Sequence, residues 1–159
     1  MASTSETEVH VPAGAGESVD PVRAAERVAA ALRRDPAAHL ARDGASIEYS
    51  SLMLARRGSP LHPAGRGTIT VHGSERGYRV RLFQDFRGLR VLLAVPLTGI
   101  ALFIVLGDPL PEITGAGKIA GQALTAGVLI PWVYVMWYAA GKGMTVQRME
   151  RLIRSALEG

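Results

Sequence analysis

The stretch that decides the fold runs from Val91 to Ala140. Its second part, Ile119–Ala140, reads IAGQALTAGVLIPWVYVMWYAA, 22 residues without a charged side chain. A helix rises about 1.5 Å per residue, so this run makes about 33 Å of helix and matches a hydrocarbon core of about 30 Å. The first part, Val91–Leu106, reads VLLAVPLTGIALFIVL and is extended to 89–107 to reach a spanning length.

These two runs predict an α-helical integral membrane protein with a two-span transmembrane hairpin. The spans are residues 89–107 and 119–140, and an external turn covers 108–118. The alternative is a hairpin of apolar helices buried in a soluble core. Two apolar runs so close together are hard to bury in a chain of 159 residues, so the membrane hairpin is preferred.

Composition limits what the rest of the chain can be. The chain has no cysteine, which excludes disulfides and thiolate chemistry. Once the hairpin is deducted, the length supports at most one small domain. The net charge is +4, and the positions of the positive charges decide whether nucleic acid is needed to explain it.

The basic residues flank the spans rather than forming a separate basic region. The external turn carries two acids and one lysine. Because lysine and arginine near span ends mark the cytoplasmic side, both termini are predicted to be cytoplasmic. The predominance of arginine over lysine, with frequent alanine, glycine and valine, indicates a GC-rich bacterial genome, so the membrane is predicted to be a bacterial inner membrane. Anionic headgroups are a sufficient partner for the charge, so no nucleic acid is expected. The predicted membrane-surface residues are Arg76, Arg79, Arg81, Arg87, Arg90, Lys142, Arg148, Arg151 and Arg154.

The segment before the spans divides into a tail and a small cytoplasmic α+β region. Residues 1–19 are mostly small and polar without apolar periodicity, and are predicted to be a disordered tail. In the 20–88 region, Asp20 followed by Pro21 is typical of a helix start, and this helix runs to Arg34. Its apolar stripe consists of Val22, Ala25, Ala29 and Leu32, with Val28 beside it.

A second, shorter helix is predicted over 36–42, and residues 45–57 fit neither a helix nor a strand period well. A β-hairpin is predicted from the alternation in 68–72 and 78–83 around a Gly-containing turn. One side of this hairpin is apolar and the other carries Arg79 and Arg81. Because a lone hairpin is marginal in water, its apolar side needs a cover.

After the second span, Gly141-Lys142-Gly143 is predicted to break the helix. Residues 141–159 then form a C-terminal amphipathic helix, with Thr145 as its N-cap. Its apolar stripe consists of Val146, Met149, Leu152, Ile153, Ala156 and Leu157. This helix lies either in the membrane interface or on the cytoplasmic region, and the residues favour neither.

The second span carries small residues at helix-packing spacing and aromatic residues near its cytoplasmic end. The predicted helix-packing residues are Gly117, Gly121, Thr125, Ala123 and Gly127. They serve contact between the two spans of one chain or between copies of the chain. The predicted interface aromatics are Trp132, Tyr134, Trp137 and Tyr138.

No enzyme signature is present, so no catalytic, cofactor-binding or metal-binding residue is assigned. The four histidines lack ligand spacing and are predicted to be surface residues. The first functional hypothesis is therefore a non-enzymatic membrane anchor or adaptor for a cytoplasmic partner. The second is a homo-oligomeric assembly that forms a pore or perturbs the bilayer. A third is an accessory subunit of a membrane enzyme or transporter.

Overall fold

The structure is a computed structural model that describes residues 4–13, 19–34, 38–51, 65–106 and 115–158. The chain divides into two compact units: a sheet domain, residues 1–89 with 142–159, and a helical unit, residues 90–141. The elements in chain order are β1 (Thr4–Pro12), α1 (Pro21–Leu32), β2 (Ala38–Asp43), β3 (Ser46–Ser51), β4 (Arg66–Ser74), β5 (Gly77–Asp85), α2 (Arg87–Leu106), α3 (Ala116–Leu124), a π-helical turn (Thr125–Leu129) and α4 (Ile130–Glu158).

The five strands form one antiparallel sheet in the order β1-β5-β4-β3-β2. The predicted hairpin is confirmed as β4 and β5, which lie at positions three and two of a larger sheet. The β2–β3 hairpin turns at Gly44, whose positive φ of 55° suits glycine. Helix α1 connects β1 at one edge with β2 at the other. The prediction of one helix and one β-hairpin for residues 20–88 is therefore incomplete.

The prediction of a disordered tail over 1–19 is wrong for residues 4–12, which form edge strand β1. Val9 and Val11 point inward and are buried, while Glu8 and His10 point outward and are exposed. Two inward valines are enough to hold an edge strand whose backbone is paired with β5 along its whole length. This pairing depends on a partner about seventy residues away, which the polar composition of the segment does not reveal.

The helix predicted over 36–42 is also wrong, because Ala38–Asp43 forms β2. The ambiguous 45–57 stretch forms a strand over Ser46–Ser51, with Ile47 and Tyr49 buried on one face. Residues 52–57 of that stretch lie outside the described residues. Both strands are short edge or near-edge elements, for which pairing outweighs the local residue preferences.

Helix α1 begins where the sequence predicts. The Asp20 carboxylate accepts hydrogen bonds from the backbone N–H groups of Val22, at 2.9 Å, and Arg23, at 3.3 Å. The buried stripe is rotated from the predicted one, since Val22 is 43% exposed. The buried residues are Ala24, Ala25, Val28, Ala29 and Leu32. Three of these five residues are alanines, so α1 can pack closely on the buried face of the sheet.

The predicted helix break at Gly141-Lys142-Gly143 is wrong, because α4 continues without interruption from Ile130 to Glu158. Thr145 is therefore inside the helix and buried, rather than an N-cap. Glycine in a helix interior costs about 1 kcal/mol, while burying one large apolar side chain contributes about 1.5–3 kcal/mol. The burial of Met149, Ile153 and Leu157 outweighs the cost of two glycines.

These three side chains belong to the same buried cluster as the inward residues of the sheet and α1. The C-terminal segment therefore packs on the sheet domain, which decides between the two positions left open by the sequence. The cover that the apolar face of the β4–β5 hairpin requires comes from two helices far apart in the sequence: α1 and the C-terminal part of α4.

One inner row of the sheet contains a close approach that only glycine allows. Gly67 lies between Tyr49 on β3 and Gln84 on β5. A Cβ at Gly67 would overlap the Phe83 carbonyl oxygen and the Tyr49 hydroxyl, so the tyrosine ring lies over the bare backbone. The Tyr49 hydroxyl and the Gln84 amide are buried, and neither reaches a partner at full hydrogen-bond geometry among the described residues.

We expect alanine at Ile153 to destabilise the sheet domain by about 2–5 kcal/mol, the usual cost of truncating a fully buried isoleucine. Arg154→Ala is the matched control, because Arg154 is the next residue in the helix and its side chain is exposed. The difference in stability is measured by thermal unfolding of the full chain in detergent, with the protease resistance of the sheet domain as the readout. Equal stability of the two variants would contradict the packing of α4 on the sheet.

The Tyr49 hydroxyl predicts an alkaline loss of stability. Burial raises the pKa of Tyr49 from 10.0 to about 12, and the facing Gln84 amide offsets part of that rise. Because the unfolded chain ionises first, stability is intact below about pH 10 and falls as the pH rises towards 12, by about 1 kcal/mol at pH 11. Tyr49→Phe has no phenol to ionise and does not lose stability in this way. In denaturant titrations, the free energy of unfolding of the wild type should therefore fall by about 1 kcal/mol relative to that of the variant between pH 9 and pH 11. A gap that does not change with pH would show that Tyr49 ionises normally in the folded domain.

Candidate functional site

The outer face of the sheet is a polar surface of the sheet domain. Its residues alternate with the buried ones along each strand, and all are exposed or half-buried, so no described element covers this face. By register they are Thr4, Glu6, Glu8 and His10 on β1, Arg79, Arg81, Phe83 and Asp85 on β5, Arg66, Thr68, Thr70 and His72 on β4, Ser46, Glu48 and Ser50 on β3, and His39, Ala41 and Asp43 on β2.

An open groove of about 650 Å³ lies where β5 ends and β4 begins. Phe83 is its exposed aromatic residue, at 44% exposure, although its cross-strand neighbours are Glu6 and Thr68. Charged and polar residues also line the groove. They are His39, Glu48, Ser50, Arg66 and Asp85. An exposed aromatic ring in a groove lined by both signs of charge has the composition of a protein-binding patch, where aromatics are enriched.

Asp85 at the end of this groove also starts α2. Its carboxylate accepts a hydrogen bond from the Arg87 backbone N–H at 2.9 Å, and the Arg87 guanidinium lies 3.9 Å from its second oxygen. Asp85 therefore caps the helix, and the end of β5 is tied to the beginning of α2. This fixes the groove residue Asp85 in place, because its side chain is already engaged by the backbone.

The opposite end of the outer face is basic. The Arg79 guanidinium lies 2.9 Å from the Glu8 carboxylate, which also lies 3.4 Å from the His10 imidazole. A smaller concavity of about 380 Å³ adjoins these residues, and the side chains lining it are His72, Ser74, Arg79 and Arg81. His10 and His72 flank Arg79 in one cross-strand row, although they are 62 positions apart in the sequence.

The sequence pattern identifies Arg79 and Arg81 but not the surface to which they belong. It places His10 in a predicted disordered tail and His72 in a predicted strand of the hairpin. The alternation of Glu6, Glu8 and His10 with Thr7, Val9 and Val11 is the available signal for an additional strand. The row itself cannot be found without the register of the sheet.

The nine predicted membrane-surface residues lie in several different settings. Arg79 and Arg81 are on the outer sheet face and Arg76 is in the β4–β5 turn, while Arg87 and Arg90 are in the first turn of α2. Lys142 is tied down, since its ammonium donates to the Thr4 carbonyl oxygen at 3.2 Å and lies 5.8 Å from the centre of the Phe86 ring. The remaining three lie on the exposed side of α4: Arg148, Arg151 and Arg154.

Two polar contacts connect the helices of the helical unit. The Gln122 side-chain amide donates to the Ile104 carbonyl oxygen at 2.9 Å. Near the other ends of these helices, the Arg90 guanidinium lies 5.6 Å from the centre of the Tyr138 ring, which stacks on Tyr134 at 6.2 Å. The hydrogen bond connects α3 to the end of α2, and the cation–π contact connects α4 to its beginning.

The predicted interface aromatics do not share one environment. Tyr138 is 3% exposed, whereas Trp132 and Trp137 are 59% and 66% exposed. The structure thus separates the tyrosine pair, which contacts α2 through Arg90, from the tryptophans, which face outward. The four aromatic residues predicted as one interface group therefore lie in two environments.

The predicted helix-packing residues lie in α3 and the π-helical turn. A Cβ at Gly117, Gly121 or Gly127 would meet no other described element within 4 Å. Ala123 is exposed and Thr125 half-buried. The π-helical turn containing Thr125 and Gly127 ends just before Pro131, whose missing N–H removes one helical hydrogen bond. These small residues leave an open strip on the helical unit.

The two apolar helices, Arg87–Leu106 and the continuous Ala116–Glu158, are long and apolar enough to cross a membrane. Most of their large apolar side chains are exposed. Among the described residues, no three His, Asp or Glu side chains come together as metal ligands. Comparison of the chain with protein-family models, curated proteins and solved structures gave no match.

We expect Gln122→Leu to weaken the contact between α2 and α3 by about 1 kcal/mol, as is usual for one interhelical hydrogen bond in an apolar environment. Ala123→Leu is the control, because it adds the same side chain at the exposed neighbouring position. Resistance of the helical unit to unfolding by sodium dodecyl sulfate in mixed micelles measures the effect. Equal resistance of the two variants would mean that the Gln122 hydrogen bond contributes no stability.

Proposed function

We propose that this chain is a two-span membrane protein that anchors its sheet domain to the cytoplasmic face of the membrane and offers the outer sheet face to a protein partner. The membrane part is supported by the exposure of the helical unit. Leu106 and Ile119 are 77% and 70% exposed, and they belong to a larger set of exposed leucine, isoleucine, valine and tryptophan side chains. So much contiguous apolar surface is costly in water but is normal against lipid.

The distribution of positive charge supports the orientation. In the sequence, the nine basic residues named above precede the first span or follow the second, and Lys118 is the one basic residue between the spans. The positive-inside rule then assigns the sheet domain and both termini to the cytoplasm. Exposed arginines on α4 near the second span also suit anionic headgroups.

The adaptor role is carried by one observation: the sheet domain is packed on one face and open on the other. The inner face is covered by α1 and α4, whereas the outer face keeps an exposed phenylalanine in a groove lined by charged residues. Burial of Phe83 by a partner, with exclusion of water from the charged residues that line the groove, would make this residue a binding hot spot. A partner protein is the occupant that this combination favours.

A second candidate function is a homo-oligomeric assembly within the membrane. The open strip at Gly117, Gly121 and Gly127 favours it, because small residues without a neighbour allow another helix to approach closely. In this arrangement the helical units of several chains pack together. Such an assembly is compatible with anchoring. The two candidate functions differ in the residues on which complex formation depends: the glycine strip for the assembly and the Phe83 groove for the adaptor.

The test uses the tagged full chain in its native membranes. We expect it to resist extraction at alkaline pH and to co-purify with a partner in stoichiometric amounts after mild solubilisation. Phe83→Asp should abolish this co-purification, because it places a charge at the centre of the groove. Val22→Asp is the matched control, since Val22 on α1 is similarly exposed, at 43% against 44% for Phe83.

The other outcomes are equally informative. Release by alkaline extraction would contradict membrane insertion. Loss of the partner in both variants would contradict the groove as the docking site. A homo-oligomer without a foreign partner, disrupted by Gly121→Leu and insensitive to Phe83→Asp, would favour the second candidate. Deletion of α1 is unsuitable as a test, because α1 carries five buried core residues.

A further inference from the structure

The basic end of the outer face is separate from the Phe83 groove and has its own concavity. Arg79 and Arg81 point to the same side of β5, and His72 lies directly across from Arg79 on β4. The concavity of about 380 Å³ that these residues line contains no acidic residue among those the structure describes. Its position on paired strands gives it a rigid backbone.

The charge of Arg81 is not matched by the acid that faces it. By register Glu8 lies opposite Arg81, but its carboxylate contacts Arg79 and His10 instead. Among the described residues, Arg81 has no ion-pair partner. Because Glu8 is already shared between two other groups, the site keeps a net positive charge.

The spacing of the two arginines suits one tetrahedral oxyanion. Residues two apart on a strand are separated by about 6.5 Å along the strand, and directly paired residues on adjacent strands by about 5 Å. Two guanidinium groups and an imidazole at these separations can converge on a single phosphate, for which arginine supplies paired N–H donors. Ser74 does not take part, because its hydroxyl donates to the Gly77 carbonyl oxygen at 3.1 Å and fixes the turn beside the site.

We infer that Arg79, Arg81 and His72 form a binding site for a phosphate group, carried either by a soluble phosphorylated molecule or by a lipid headgroup. Arg81 supplies the uncompensated charge. Arg79 is held in place by Glu8 and supplies the second set of donors, while His72 closes the side towards β4. This inference stands on the outer face alone and does not depend on membrane insertion or on the Phe83 groove.

The experiment measures binding of inorganic phosphate to the full chain in neutral detergent by ³¹P NMR line broadening. We expect saturable binding that Arg81→Ala weakens about tenfold or more, the usual effect of losing a charge-assisted contact. Arg33→Ala is the matched control, because it removes an exposed arginine of the same sheet domain that lines neither the concavity nor the Phe83 groove. Glu8→Gln should tighten binding, since it removes the negative charge that competes for Arg79.

The source of the phosphate is distinguished in nanodiscs of neutral and of anionic lipid. Binding that is equal in both identifies a soluble ligand, while binding that anionic lipid suppresses identifies a headgroup in the site. The inference is overturned if phosphate binding does not saturate, or if Arg33→Ala weakens it as much as Arg81→Ala. Saturable binding of a single-stranded oligonucleotide without any binding of inorganic phosphate would also overturn it.

Discussion

The structure depends on the burial of Met149, Ile153 and Leu157 of α4 against the inner face of the sheet. The chain leaves the sheet at Asp85, passes through the whole helical unit and returns to the sheet domain from Lys142 onward. The core is therefore completed by residues more than sixty positions from the last strand. Contacts of such long sequence separation carry a large loop-closure cost, which the regular structure of the two apolar helices reduces.

A sheet with one covered and one open face divides its residues sharply between stability and recognition. Valine, isoleucine and leucine on the inner face pack against α1 and α4, and even the one glycine of the Tyr49 row is needed for packing. The outer face contributes little to this core. It can therefore carry a phenylalanine groove at one end and a basic concavity at the other, and the exposed side chains Phe83 and Arg81 lie outside the core.

The helical unit is held by a different kind of interaction. Its apolar side chains mostly face outward, so burial contributes little to its internal packing. The Gln122 hydrogen bond and the Arg90–Tyr138 contact instead connect α2 to the returning helices near its two ends. In apolar surroundings such polar contacts matter because alternative partners are scarce. The open glycine strip lies on the same unit and remains available for a second helix.

The sequence by itself determined the elements whose pattern is local: the two long apolar helices, the Asp20-Pro21 helix start, and the alternation of β4 and β5. Only the tertiary structure decided the rest. Thr4–Pro12 is a strand because β5 pairs with it, and α4 continues through two glycines because its far end has a core to enter. His10, Arg79 and His72 share a row only through the strand register. Periodicity is a property of neighbouring residues, whereas pairing and burial are set by residues far apart in the chain.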